Sequence, residues 1–116
     1  CISSICGIDR INGAPITYSV AKAALNHFIK CSAPVFAQKE IRINGVAPGN
    51  IIFPGSTWED KNKILPEMVR NMLEEKVPLR RLGTTNEVAQ LVYFLLSDKA
   101  MFSTGSTYPI DGGQTV

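Results

Sequence analysis

The sequence predicts an α/β fold in which helices cover a parallel sheet. Two observations predict it. Segments of strand character alternate with helical ones along the whole chain, an order that builds parallel strands joined by helical crossovers. Hydrophobic residues make up 45% of the 116 residues, which suits the core of one domain. Only two strands and one strand stub are legible, fewer than a twisted parallel sheet normally contains.

Each element has a local reason. Cys1 to Ser3 reads as the end of a buried strand, and Gly7, Gly13 and Pro15 mark the loop after it. From about Thr17 to Lys39, Tyr18, Ala21, Lys22, Leu25, Phe28 and Ile29 recur at helical spacing. Pro34 lies inside that run, lacks an N–H and crowds the carbonyl of Lys30, so a kink or an early end is expected. Ile41 to Ala47 alternates and is rich in β-branched residues, which predicts a strand ended by Pro48-Gly49.

The stretch from Asn50 to Lys76 is mixed. Pro54-Gly55 is a turn, Ser56 or Thr57 can cap a short helix, and Pro66 can open a second one. Met68, Val69, Met72 and Leu73 give that second helix an apolar face. Thr84-Thr-Asn-Glu87 is a capping box ahead of a helix with Val88, Leu91, Val92, Leu95 and Leu96 on one stripe. Thr107 to Ile110 is a short last strand, left through the turn Asp111-Gly-Gly113.

Composition excludes several functions. The net charge is +2 and the basic residues are scattered, so no nucleic-acid surface is expected. No apolar run reaches membrane-spanning length, and no membrane partner is expected. Three cysteines, Cys1, Cys6 and Cys31, lack zinc-ligand spacing and read as reduced thiols of a cytoplasmic protein. With His27 the only histidine, a metal centre is not expected.

The chemistry lies in Tyr18-Ser-Val-Ala-Lys22. Four residues of helix turn through about 400°, so the phenol and the ammonium leave one face a turn apart. A fixed positive charge favours the phenolate and lets the tyrosine trade a proton with an alcohol or carbonyl. His27, nine residues on, is half a turn away and faces elsewhere.

Other segments stand in register with this pair. Ser3-Ser4 closes a strand before it. Ile43-Asn-Gly-Val-Ala-Pro-Gly-Asn-Ile51 runs from a strand into a turn after it. Pro78-Leu-Arg-Arg-Leu-Gly83 precedes the capped helix, Leu96-Ser-Asp98 lies near its end, and Gly105-Ser-Thr-Tyr-Pro-Ile-Asp-Gly-Gly113 nearly completes the chain. This order closely resembles the C-terminal half of the short-chain dehydrogenase/reductases, over essentially all 116 residues.

The resemblance implies a Rossmann-type fold. Residues 1–116 would be the C-terminal catalytic portion of a single doubly wound domain, with the N-terminal dinucleotide-binding portion absent. It implies an oxidoreductase that transfers hydride between NAD or NADP and a small-molecule carbonyl or alcohol. Tyr18 would be the general acid/base. Lys22 would assist it and hold the nicotinamide ribose. Ser4 would orient the substrate oxygen, with Ser3 the alternative. Ser4 lies fourteen residues before Tyr18, which reads as one extra residue in the Gly7–Pro15 loop. Pro48, Gly49 and the backbone of Ile51 would approach the nicotinamide.

Other positions carry weaker implications. Phe53 stands where the family often has a cofactor-binding threonine, and Ser56 or Thr57 could replace it. Val35 stands where an acidic residue is common, beside Pro34. Arg81 matches a family arginine and also reads as a loop-tethering ion pair. Trp58, Met68 and Met72 are candidates for pocket lining or for ordinary packing, and Asp111 serves its turn. No glycine-rich turn between a strand and a helix is present to hold a pyrophosphate, so the isolated chain is expected to be inactive. A homodimer or homotetramer is implied for the complete protein. The competing reading is a non-catalytic relative with a binding or structural role. Phe53 and Pro34 favour that reading, and Ser4, Tyr18 and Lys22 oppose it.

Overall fold

The computed structural model describes residues 1–116. The first helix, α1 (Ile16–Ala37), follows a 3-10 turn at Ile5–Gly7. Then come β1 (Gly45–Pro48), β2 (Ile51–Ile52), α2 (Thr57–Ile64) and α3 (Pro66–Lys76). The chain closes with β3 (Gly83–Thr84), α4 (Thr85–Leu96), a 3-10 turn at Asp98–Ala100 and β4 (Thr107–Ile110). Every strand pairing is parallel, as the strand–helix alternation predicts.

β1 is the middle of the main sheet. On one side it pairs with β4, from Gly45 against Thr107 to Pro48 against Ile110. On the other, Ile2 bridges Val46, supported by Ser3 N–H to Val46 O at 2.7 Å and Val46 N–H to Cys1 O at 2.9 Å. Pro109 is exposed and lies on β4, which has a partner on one side only, the position where a strand tolerates a missing donor.

Successive residues of β1 point to opposite faces. Gly45 lies against Ile29 of α1, where an added Cβ would come within 2.7 Å of its Cδ1. Val46 packs on the other face with Leu95 and Ala100. Val88, Leu91, Val92, Tyr108 and Ile110 close that cluster. Helices thus cover both faces of the sheet. α4 starts at the expected capping box, with Thr84 and Glu87 satisfying each other's backbone N–H groups.

Several expectations need correction. Of the kink or early end expected at Pro34, the early end does not occur: helix α1 continues to Ala37. Its underside is held by fully buried Ile29 and by Ala33, and tertiary packing overrides the local cost of one missing backbone bond. The strand expected over Ile41–Ala47 spans only Gly45–Pro48. Before it, side chains replace the ladder. Ile43 N–H donates to Thr104 Oγ1 at 3.1 Å, and Asn44 Nδ2 donates to Ser103 O at 2.8 Å. The Arg42 guanidinium binds Leu95 O at 2.7 Å and Ser103 O at 3.1 Å. Arg42 thereby caps the carbonyl end of α4, where a cation is favoured.

The parallel pair β2–β3, Ile51 with Gly83 and Ile52 with Thr84, was not expected from the sequence. Two expected core residues lie outside the core: Leu96 on α4 and Met68 on α3 are exposed.

Candidate active site

Parallel strands bring their carboxyl ends together, and the site is assembled there. Ile2 bridges Val46 of β1, and Ser4 lies two residues further towards the carboxyl end of that strand segment. Ser4 is still extended, and the chain then tightens into the turn Ile5–Gly7, with the Ser4 hydroxyl accepting the Cys6 N–H at 3.2 Å. Its own proton remains available for another acceptor. Ser3, by contrast, donates its hydroxyl to Asn26 Oδ1 at 2.5 Å. Both serines are buried.

Helix α1 docks on this strand end. Gly7 lies so close to it that an added Cβ would be 2.5 Å from the carbonyl carbon of Lys22 and 2.7 Å from Ala23 N. The Lys22 ammonium donates to Ile2 O at 3.0 Å and sits 5.6 Å from the centre of the Tyr18 ring. Lysine and tyrosine therefore share one face, as their spacing predicts. One ammonium donor is engaged and two are left. Tyr18 is 43% exposed as a residue, and its hydroxyl bonds to no protein group.

Of the residues expected at the nicotinamide, Pro48 ends β1 and Gly49 and Ile51 follow it. Gly49 N–H donates to Ile110 O at 3.0 Å. The face of Gly49 where a side chain would stand meets Asp111 Cα and Cβ at 2.8 Å, so its glycine character is needed by the protein's own packing. Asn50 and Ile51 line a cavity of about 80 Å³ with Arg81, Glu87 and Ile110. Arg81 grips Glu87 with two nitrogens, at 2.5 and 3.0 Å. Those hydrogen bonds, then the Thr84 N–H and hydroxyl, hold the Glu87 carboxyl at about 2, below the ordinary 4.5. Arg81 is thus a tether of the turn before α4.

Ser56 is committed to structure. Its oxygen accepts N–H groups from Phe53 and Glu59, each at 3.1 Å, and caps α2. Thr57 is exposed. Lys61 lies over the Trp58 ring at 4.7 Å, a contact internal to α2. Asp111 binds Gly113 and Thr115 N–H and serves its turn. His27 is exposed and 3.3 Å from Cys31 Sγ, one turn along α1. All three cysteines are free thiols. No helix is long and apolar enough to cross a membrane.

A larger open hollow of about 560 Å³ lies between the Cys6–Ala14 loop and Ile16, Ser19, Val20 and Ala23 of α1. Val20 is two residues from Tyr18, about 200° around the helix, so this hollow is on another side of α1. Gly7 and Asn26 are the positions that sequence reasoning missed. The available signal was a polar residue, Asn26, one turn after Lys22 on a helix face otherwise holding Ile29 and Ala33, where a polar group needs built-in partners.

Known proteins share the sequence pattern and the fold of this chain. The model of the enoyl-(acyl carrier protein) reductase family matches residues 1–115. Isoepoxydon dehydrogenase of Aspergillus clavatus is 36% identical over 111 residues, which are 96% of this chain and 42% of that protein. L-sorbose reductase from Gluconobacter frateurii, solved with NADPH and L-sorbose, superposes with a TM-score of 0.85 at 32% identity, covering 98% of this chain and 45% of that one. A 3-oxoacyl-[acyl-carrier protein] reductase from Brucella melitensis with bound NAD gives 0.83 at 30% identity, covering 99% and 39%. The chain spans less than half the length of each of these relatives. The parallel sheet with flanking helices is the corresponding portion of their Rossmann fold. The chain belongs to the short-chain dehydrogenase/reductase family.

Proposed function

We propose that residues 1–116 are the C-terminal, proton-transferring portion of an NAD(P)-dependent oxidoreductase acting on a small carbonyl/alcohol pair. The observation that carries this reading is the Lys22 ammonium, fixed on Ile2 O at 3.0 Å with the Tyr18 ring 5.6 Å away. It ties the tyrosine helix to the strand end that bears Ser4.

The residues present suit the nicotinamide end of a dinucleotide. Lys22 keeps two donors for ribose hydroxyls, and the backbone from Pro48 and Gly49 to Ile51 follows the carboxyl end of a parallel strand, where ligands of such sheets bind. When bound, the nicotinamide supplies hydride to a carbonyl carbon or accepts it from an alcohol. Tyr18 gives its phenolic proton to the carbonyl oxygen in reduction and takes it back in oxidation. Lys22 stabilises the negative charge left on the phenol oxygen. Ser4 donates to the substrate oxygen and fixes its approach. The pyrophosphate and adenosine end has no counterpart among these residues, so a preceding segment of the same domain would hold it. The reading extends to a cytoplasmic homodimer or homotetramer. Ile16, Val20, Phe28 and Val35, exposed along α1, support burial of that helix in the complete protein.

The test is nicotinamide absorbance with the complete protein and a panel of ketones, 3-oxoacyl thioesters, sugars and alcohols. At least one pair should be interconverted with NAD or NADP. No absorbance change across the panel, with a folded protein that binds dinucleotide, would favour a non-catalytic role.

A further inference from the structure

Asn26 carries no role in the proton transfer described above, yet its side chain joins three separate parts of the site. Its Oδ1 accepts the Ser3 hydroxyl at 2.5 Å and, more weakly, the Thr107 hydroxyl at 3.4 Å. Its Nδ2 donates to Gly7 O at 3.0 Å. Ser3 and Gly7 bracket Ser4, and the Gly7 N–H closes the intervening turn on Ser4 O at 3.0 Å. One amide therefore grips both ends of the segment that presents the Ser4 hydroxyl.

The amide belongs to the helix that carries the proton donor. Asn26 is one turn after Lys22 and two turns after Tyr18, within about 80° of the tyrosine direction. Ser3 is 3% exposed, so a hydroxyl released there would have little access to water and only the longer contact to Lys22 O at 3.5 Å. Such a bond is costly to leave unmade. The Thr107 contact adds β4, so the strand end, the turn, the helix and the sheet meet at a single side chain.

We infer that Asn26 is a positioning residue, which sets the Ser4 hydroxyl against Tyr18 and Lys22. The inference rests on the functional reading above and adds a specific residue to it. An amide is suited to this task because it accepts and donates at once. An aspartate at the same place would keep the Ser3 bond but set a carboxylate oxygen against the Gly7 carbonyl.

The test is a double-mutant cycle in the complete protein, read as kcat for carbonyl reduction. Asn26→Ala should lower kcat by about 10- to 100-fold, the scale of a misplacement near 1 Å, while dinucleotide affinity is retained. If the amide acts through Ser4, Ser4→Ala/Asn26→Ala should be no slower than Ser4→Ala alone. A double variant slowed by the full Asn26→Ala factor would show independent action and overturn the proposal, as would wild-type kcat in Asn26→Ala. If Asn26→Ala does not fold, Ser3→Ala removes the shorter bond from its other end and enters the same cycle with the same outcomes. Turnover that vanishes in Tyr18→Phe, together with additive Asn26 and Ser4 losses, leaves the oxidoreductase reading standing and removes only the role of Asn26. A complete protein without dinucleotide-linked turnover removes both.

Discussion

Replacing Gly7 by alanine should damage the site without touching any of its polar atoms. The added Cβ would lie 2.5 Å from Lys22 C and 2.7 Å from Lys22 O and Ala23 N. All three are backbone atoms within a helix, so no side chain can rotate away. Ordinary contact begins at 3.4 Å, so the turn and the helix must separate by about 0.9 Å at the closest point. Overpacking of this kind costs about 1–3 kcal/mol. The same displacement parts Ser4 from the Tyr18 helix, and a shift near 1 Å can cost about 100-fold in rate. Urea denaturation and kcat of the complete protein measure the two effects. Gly13→Ala is the control, since nothing lies within 4 Å of its added Cβ although its φ is +83°. It should lose about 1–2 kcal/mol from backbone strain alone and keep its kcat. Wild-type stability and kcat in Gly7→Ala would refute the close docking of the turn on α1.

Two further outcomes concern the scaffold. Arg42→Met keeps the aliphatic stem but abandons the carbonyls of Leu95 and Ser103, so the urea midpoint should fall by the equivalent of about 2–3 kcal/mol. The Arg81–Glu87 pair sets an acid-range dependence. The folded Glu87 carboxyl titrates at about 2 rather than 4.5, so its contribution is fully present above the unfolded value and is lost as pH falls from 4.5 towards 2. Arg81→Gln should flatten the fall in Tm over that window, and added salt should do the same in part because the pair is exposed.

What was legible in the sequence is what short-range chemistry determines. The capping box at Thr84–Glu87 needs only four residues and formed as its pattern predicts. The sharing of one face by Tyr18 and Lys22 follows from helical spacing alone. The β2–β3 pair joins two residues to two others more than thirty positions away, too short for any periodicity to register. The start of β1 was misjudged because Arg42 and Asn44 spend their side chains on Leu95 and Ser103, partners that no local pattern announces. The sequence favours Ser4 over Ser3 only through the family resemblance and leaves Ser3 as the alternative. The fold distinguishes them by committing the Ser3 hydroxyl to Asn26, a long-range contact. Gly7 read only as a loop glycine, because the helix it touches arrives from fifteen residues later.

The central claim is that Tyr18 moves the proton that accompanies hydride transfer. Tyr18→Phe removes only the hydroxyl of a partly exposed residue without altering the ring that lies beside Lys22. Measured in the complete protein by nicotinamide absorbance, with dinucleotide affinity determined alongside, the variant should keep its fold and its affinity and lose turnover. Turnover retained at the wild-type rate would contradict the account.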